Sequence, residues 1–208
     1  MDTVKKLLDL AGRTYADDAG ITLKDTPKPL FQLLVLALLS STRISADIAV
    51  SAARELFHAG WRTPKAIADA PRAEVIAALG RGHYARYDES TATRLRELGG
   101  RVESEYHGDL RELARRSDED PTAAARLLQE FNGIGSVGAQ IFLREVQNVW
   151  TWVRPYFDKR SEQGAEQLGL PTIPKELAKL APNRHVATLA AALVRVTLDD
   201  ELRNQVRD

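Results

Sequence analysis

Phe131-Asn132-Gly133-Ile134-Gly135-Ser136-Val137-Gly138 decides how the rest of the chain is read. It separates an apolar helix ending near Glu130 from another beginning near Val137. Glycine adopts positive φ without the Cβ clash that penalises other residues, so Gly133 and Gly135 in alternation predict a sharp reversal in which both have positive φ. Such a turn leaves successive backbone N–H groups bare at the start of the next helix, where the helix dipole favours an anion. Leu127, Leu128 and Phe131 before the turn, with Ala139, Ile141 and Phe142 after it, supply the apolar faces that two packed helices need. The plain alternative is an αα-corner whose glycines do nothing beyond turning the chain.

Outward from this stretch, apolar residues recur with helical spacing and no strand alternation interrupts them. Helices are predicted over 2–15, over 30–41 opened by Pro29, and over 46–59 capped by Ser45. Thr63-Pro64 and Ala70-Pro71 read as two further starts with proline in the first turn. The remaining helices are expected over 88–105, 109–116, 122–130, 137–147, 155–168, 174–180 and 185–203. The fold class is all-α.

Composition narrows the chemistry. The 208 residues contain no cysteine, which excludes disulfides, thiol catalysis and iron–sulfur ligation. His58, His83, His107 and His185 never fall three or four apart, so no helical metal pair is expected. Twenty-nine basic side chains balance twenty-nine acidic ones, so net charge neither supports nor excludes nucleic acid; local charge decides. No apolar run reaches membrane-span length and no apolar signal core follows Met1, so a cytoplasmic protein with no membrane role is expected.

Three stretches carry a resemblance. The hairpin reads Leu128-x-x-Phe131-x-Gly133-Ile134-Gly135-x-x-Gly138-Ala139, and Pro29–Ser41 reads PLFQLLVLALLSS. Between them, Gly82-His83-Tyr84-Ala85-Arg86 matches a GLYNxK-type turn at its glycine and tyrosine. Together they resemble the helix-hairpin-helix base-excision DNA glycosylase superfamily, and endonuclease III in layout, from about Pro29 to Leu170. The resemblance implies a two-lobed fold with a central cleft. One lobe is a six-helix-type domain, 27–147, ending in the hairpin; the other is formed by both termini, 1–26 with 148–208. Gly133, Gly135, Val137 and Gly138 would hold a DNA phosphate, a sequence-independent grip.

The chain departs from the family in three places. The cysteines of the iron–sulfur loop are missing, so no cluster is implied; a monovalent cation at the hairpin is compatible with the family pattern. The lysine of bifunctional members, two positions after the second hairpin glycine, is here Val137, so a lyase step at that position is excluded. The family aspartate opens the helix after the hairpin unit. An ungapped count lands near Arg154-Pro155, whereas matching the helix end at Gln167-Leu168-Gly169-Leu170 gives Asp158, with a connector three residues longer. Asp158 is the candidate catalytic carboxylate; alternatively it only caps its helix.

The resemblance places base-flipping wedges at Thr42-Arg43 and His83-Tyr84, of which Thr42 is too short. Arg43 also reads as a solvated loop charge, His83 as a surface turn residue and Tyr84 as a core anchor. The connector 149–157 holds four aromatics in nine residues, and Trp150, Trp152 and Tyr156 are candidate pocket walls or packing residues. Arg144, Arg154, Lys159 and Arg160 give Arg144–Arg160 a local excess of two positive charges, expected to meet phosphates. The function implied is a monofunctional DNA glycosylase removing a damaged or mismatched base from double-stranded DNA, acting as a monomer. A non-catalytic DNA-binding protein with the same hairpin, and a helical scaffold with no DNA role, are the alternatives.

Overall fold

The computed structural model describes residues 3–181 and 185–207, and among them every regular element is a helix. In chain order these begin with α1 (Thr3–Ala11), α2 (Tyr15–Asp18), α3 (Pro27–Leu39), α4 (Ala46–His58), α5 (Pro64–Ala68), α6 (Arg72–Arg81) and α7 (Asp88–Tyr106). They continue with α8 (Arg111–Arg116), α9 (Pro121–Gln129), α10 (Ser136–Val146), α11 (Lys159–Gln167), α12 (Pro174–Lys179), α13 (Val186–Val196) and α14 (Asp200–Arg207). The chain forms two compact units, one of residues 16–142 and one joining 1–15 to 143–208.

In the 16–142 unit, α3 is the centre. It is apolar on all sides, as a helix with no solvent face must be, and every residue from Leu30 to Leu39 is buried. Local signals place its neighbours. Ser45 accepts a hydrogen bond from Ile48 N at the start of α4, Thr63 does the same for α5, and Asp120 Oδ1 accepts from Ala123 N (2.7 Å) at the start of α9. Proline in the first turn of α3, α5 and α9 removes an N–H that would have no partner.

In the other unit, α13 is the buried element. Its length from Val186 to Val196 packs with Val4, Leu7, Phe157, Ala165, Leu177 and Val206. Beyond shifts of three residues or fewer at helix ends, three boundaries differ from the sequence expectation. The first helix stops at Ala11, where Gly12-Arg13-Thr14 intervenes before α2. The helix expected over 185–203 is two, because Asp199 Oδ1 accepts from Leu202 N (3.0 Å) and starts α14 as a new helix. The helix expected from Pro155 begins only at Lys159, because side chains of α10 hold residues 154–158 outside it, as described below.

Candidate functional site

The hairpin between α9 and α10 is braced from α7. Phe131 is buried at 1% exposure and stacks on Tyr106 with centroids 5.7 Å apart. The Arg101 guanidinium lies over the Phe131 ring, pairs with the Glu130 carboxylate at 2.8 Å and donates to the Glu130 carbonyl. Asn132 Nδ2 donates to Glu97 Oε2 (2.8 Å), so side chains of α7 hold the chain as it enters the turn. Gly133 has φ +92°, and a Cβ there would also meet the methylenes of Arg94. Gly135 does not have positive φ, which corrects the expectation of two left-handed glycines: one carries the reversal. Gly135, Ser136 and Val137 are exposed, Val137 at 58%, and the first N–H groups of α10 have no intrahelical carbonyl to bind. Gly138 is buried against Ser41, where a Cβ would collide with the hydroxyl that donates to the Ala37 carbonyl (2.7 Å).

In the same unit the loop after α3 and the turn after α6 are tied together. Tyr84 is fully buried, its hydroxyl donates to the Leu39 carbonyl (3.2 Å) and lies 2.8 Å from Thr42 Oγ1. Tyr84 is therefore the anchor of its turn and not a wedge, because its ring is committed to the core. Arg43 and His83, each next in sequence to one of the tied residues, are exposed, and His83 sits at φ +63°.

The 143–208 segment holds the Asp158 site. At the C-terminal end of α10, the side chain of the buried Gln147 makes three hydrogen bonds. Its Nε2 donates to the carbonyls of Arg144 (2.9 Å) and Tyr156 (2.7 Å), and its Oε1 accepts from Tyr156 N (3.0 Å). The Arg154 guanidinium donates to the carbonyls of Gln147 (2.6 Å) and Asn148 (2.7 Å), where a cation suits the negative end of the helix. Trp150 is buried and stacks on the half-buried Trp152 with centroids 5.3 Å apart, so packing claims at least the first of these rings. Tyr156 is half-buried; burial first, and then the Asp158 charge, push its hydroxyl up to about 12.

Asp158 caps α11. Its Oδ1 accepts from Ser161 N (2.8 Å) and from Ser161 Oγ (2.8 Å), while Oδ2 accepts from Arg144 Nη1 at 2.6 Å. The carboxylate and the guanidinium are each about 5% exposed or less as side chains. Ser161 Oγ also lies 3.1 Å from the Ala190 carbonyl, which ties the cap to α13. Arg144 further approaches Glu145 Oε1 (3.4 Å) and lies over the Tyr15 ring (5.4 Å). Burial alone would lower the Arg144 guanidinium, but Asp158 and Glu145 outweigh it and hold the group above its ordinary value.

The basic cluster expected over 144–160 is thus divided. Arg144 is buried in an ion pair and Arg154 is spent on backbone carbonyls, which corrects their expected role as phosphate contacts; Lys159 and Arg160 remain exposed at the start of α11. Ser161 and Gln147 were not singled out from sequence. Ser161 stands three positions after Asp158, as a capping partner must, whereas nothing local marks Gln147. Among the described residues no group of three or more His, Asp and Glu could hold a metal ion, and no helix is long and apolar enough to cross a membrane.

No family profile and no curated protein sequence matches the chain. Solved structures do. One is H. pylori 3-methyladenine DNA glycosylase (MagIII) bound to 1,N6-ethenoadenine, with a TM-score of 0.59 and 16% identity over 95% of this chain and 96% of that one. Another is endonuclease III in a trapped covalent intermediate with DNA, an estranged-adenine complex, with a TM-score of 0.56 and 15% identity over 92% of this chain and 81% of that one. The chain has the fold of the helix-hairpin-helix DNA glycosylases.

Proposed function

We propose that this protein is a monofunctional DNA glycosylase that hydrolyses the bond between deoxyribose and a damaged or mismatched base in duplex DNA. The observation that carries the reading is Asp158, a nearly buried carboxylate at the N-terminus of α11, with one oxygen set by Ser161 and the other by Arg144. As the glycosidic bond breaks, its electron pair leaves with the base and positive charge develops on the sugar. A fixed carboxylate stabilises that charge in a site of low dielectric. Water then adds at the sugar C1′, and the proton it gives up is taken by the departing base, leaving an abasic site and a free base. Its place at a helix N-terminus beside the Arg144 guanidinium suits Asp158 to electrostatic stabilisation rather than proton donation. The hairpin would hold the strand through backbone N–H groups at the start of α10, and exposed Lys159 and Arg160 add positive charge. Val137 has no amine at the position of the lyase lysine, which supports hydrolysis rather than a Schiff base.

The solved neighbours suggest which lesions to try first. MagIII is named for 3-methyladenine and is bound to an etheno-adenine, so alkylated purines lead a panel that also contains uracil, oxidised bases and mismatches. Base release from one member, leaving an alkali-labile site, is the expected result. Asp158→Asn should lose release while DNA binding persists; retained release would remove Asp158 from the mechanism.

One observation favours a second reading, a DNA-binding protein without chemistry. Arg144 neutralises much of the charge that Asp158 would offer to the sugar. Binding to abasic or nicked DNA with no base release across the whole panel would establish it.

A further inference from the structure

We propose that Arg144 is the positioning residue of Asp158. From inside α10 it fixes one carboxylate oxygen, so that the oxygens are held by two different helices and the side chain has a single orientation. This rests on the glycosylase reading of Asp158.

The geometry has three parts. Asp158 Oδ1 belongs to its own helix through Ser161 N and Oγ, and this cap alone leaves Oδ2 to choose among partners. Arg144 Nη1 takes Oδ2 at 2.6 Å in surroundings that exclude water from both side chains, the conditions in which a charge-assisted bond is short and directional. The guanidinium is itself held: it approaches Glu145, lies over Tyr15, and springs from a helix whose last turn is clamped to the connector by Gln147. Gln147 binds the backbone of Tyr156 on both its N–H and its carbonyl side, two residues before Asp158. The end of α10 therefore locates Asp158 twice, through the backbone by Gln147 and through the side chain by Arg144.

A buried ion pair contributes little to stability against an apolar pair of similar volume. What it supplies is direction. A carboxylate that stabilises an oxocarbenium-like sugar must present the same edge at each turnover, and an error of about 1 Å costs on the order of a hundredfold in rate. Arg144 touches neither sugar nor base in this scheme; it acts through Asp158.

The test separates rate from binding. Single-turnover base release and DNA affinity are measured for the wild type, Arg144→Gln, Arg144→Lys and Ser161→Ala, on a lesion the wild type processes, with unfolding midpoints recorded for each. Arg144→Gln is expected to release base at least about tenfold more slowly with DNA affinity within about twofold of wild type, by the same dependence of rate on orientation. Arg144→Lys, which keeps a charged donor, should recover part of the rate. Ser161→Ala removes the Oγ donor and leaves only Ser161 N on the other oxygen, loosening the carboxylate without stranding a buried charge, so it should also slow release and serves if Arg144→Gln does not fold. Release by folded Arg144→Gln as fast as by wild type, or loss of rate and affinity together in both Arg144 variants, would overturn the assignment, as would full-rate release by Ser161→Ala where Arg144→Gln does not fold. If the wild type binds DNA but releases no base from any lesion, it is the glycosylase reading that falls, and the positioning role falls with it.

Discussion

Tyr84 and Thr42 meet through their hydroxyls at 2.8 Å, forty-two residues apart in sequence, and so join the loop that follows α3 to the turn that follows α6. Tyr84 Oη also donates to the Leu39 carbonyl at the end of α3, where the last helical carbonyls lack partners of their own. Tyr84→Phe keeps the ring and removes the donor. The Leu39 carbonyl keeps Thr42 Oγ1 as a second donor (3.3 Å), so unfolding in urea should show the loss of one net hydrogen bond, about 1 kcal/mol. A change within error would mean that water replaces the hydroxyl at no cost.

The hairpin glycines should separate sharply. Gly133→Ala is expected to cost about 1–2 kcal/mol for holding an L-residue at φ +92°, and to weaken DNA binding as the turn is displaced. Gly135→Ala meets open space without positive φ, so its stability should stay within about 0.5 kcal/mol of wild type. Gly138→Ala drives a methyl into Ser41, and adding Ser41→Ala should return part of the loss. Equal effects at Gly133 and Gly135 would contradict the single left-handed residue.

Asp158→Asn does more than remove a charge. It leaves the Arg144 guanidinium buried without its nearest carboxylate, so unfolding should show a loss of about 3–5 kcal/mol. Activity of this variant therefore has to be measured well below its melting temperature. A variant as stable as wild type would show that Glu145 alone balances Arg144.

Val137 is exposed in the first turn of α10, so Val137→Lys should fold with stability within about 0.5 kcal/mol of wild type. In the glycosylase reading its amine stands where bifunctional members keep theirs. It should condense with the aldehyde of an abasic site, losing water, and borohydride should trap the imine as a stable protein–DNA adduct that wild type does not form. A folded variant that binds abasic DNA and gives no adduct would place Val137 away from the lysine position.

The alkaline limit of stability should carry the Tyr156 signature. Its hydroxyl is raised to about 12 in the folded chain by burial and by Asp158, against an ordinary value near 10. Between these values the folded state holds a proton that the unfolded state has lost, so this contribution is intact below about pH 10 and disappears as pH rises through about 12. Tyr156→Phe should show a shallower loss of stability over that interval. An unchanged slope would contradict the shift.

Much of this was legible in the sequence. Helical periodicity, Pro-led helix starts and the caps Ser45, Thr63 and Asp120 are local signals, each acting within a few residues, and they mark the all-α class and most boundaries. Gly133 could be picked for the same reason, since the requirement for positive φ lies in one residue. Asp158 follows from the family resemblance at the helix end Gln167–Leu170, and its capping bond to Ser161 is local too. Of the three larger boundary differences, the break between α13 and α14 has a local cause in Asp199, whereas the late start of α11 comes from Gln147 and Arg144, outside the segment itself. What sequence left open is the fate of each polar side chain. Arg144 and Lys159 look alike as letters, yet one is buried against Asp158 and the other faces solvent. Tyr84 joins the core through residues more than forty positions away, and Gln147 clamps Tyr156 nine positions on. Such pairings depend on which helices pack and at what rotation, a property of the summed apolar contacts and not of any one residue. The sequence alone thus determined a helical chain with a glycine hairpin and a carboxylate at a helix start; only tertiary packing decided that Arg144 would hold that carboxylate.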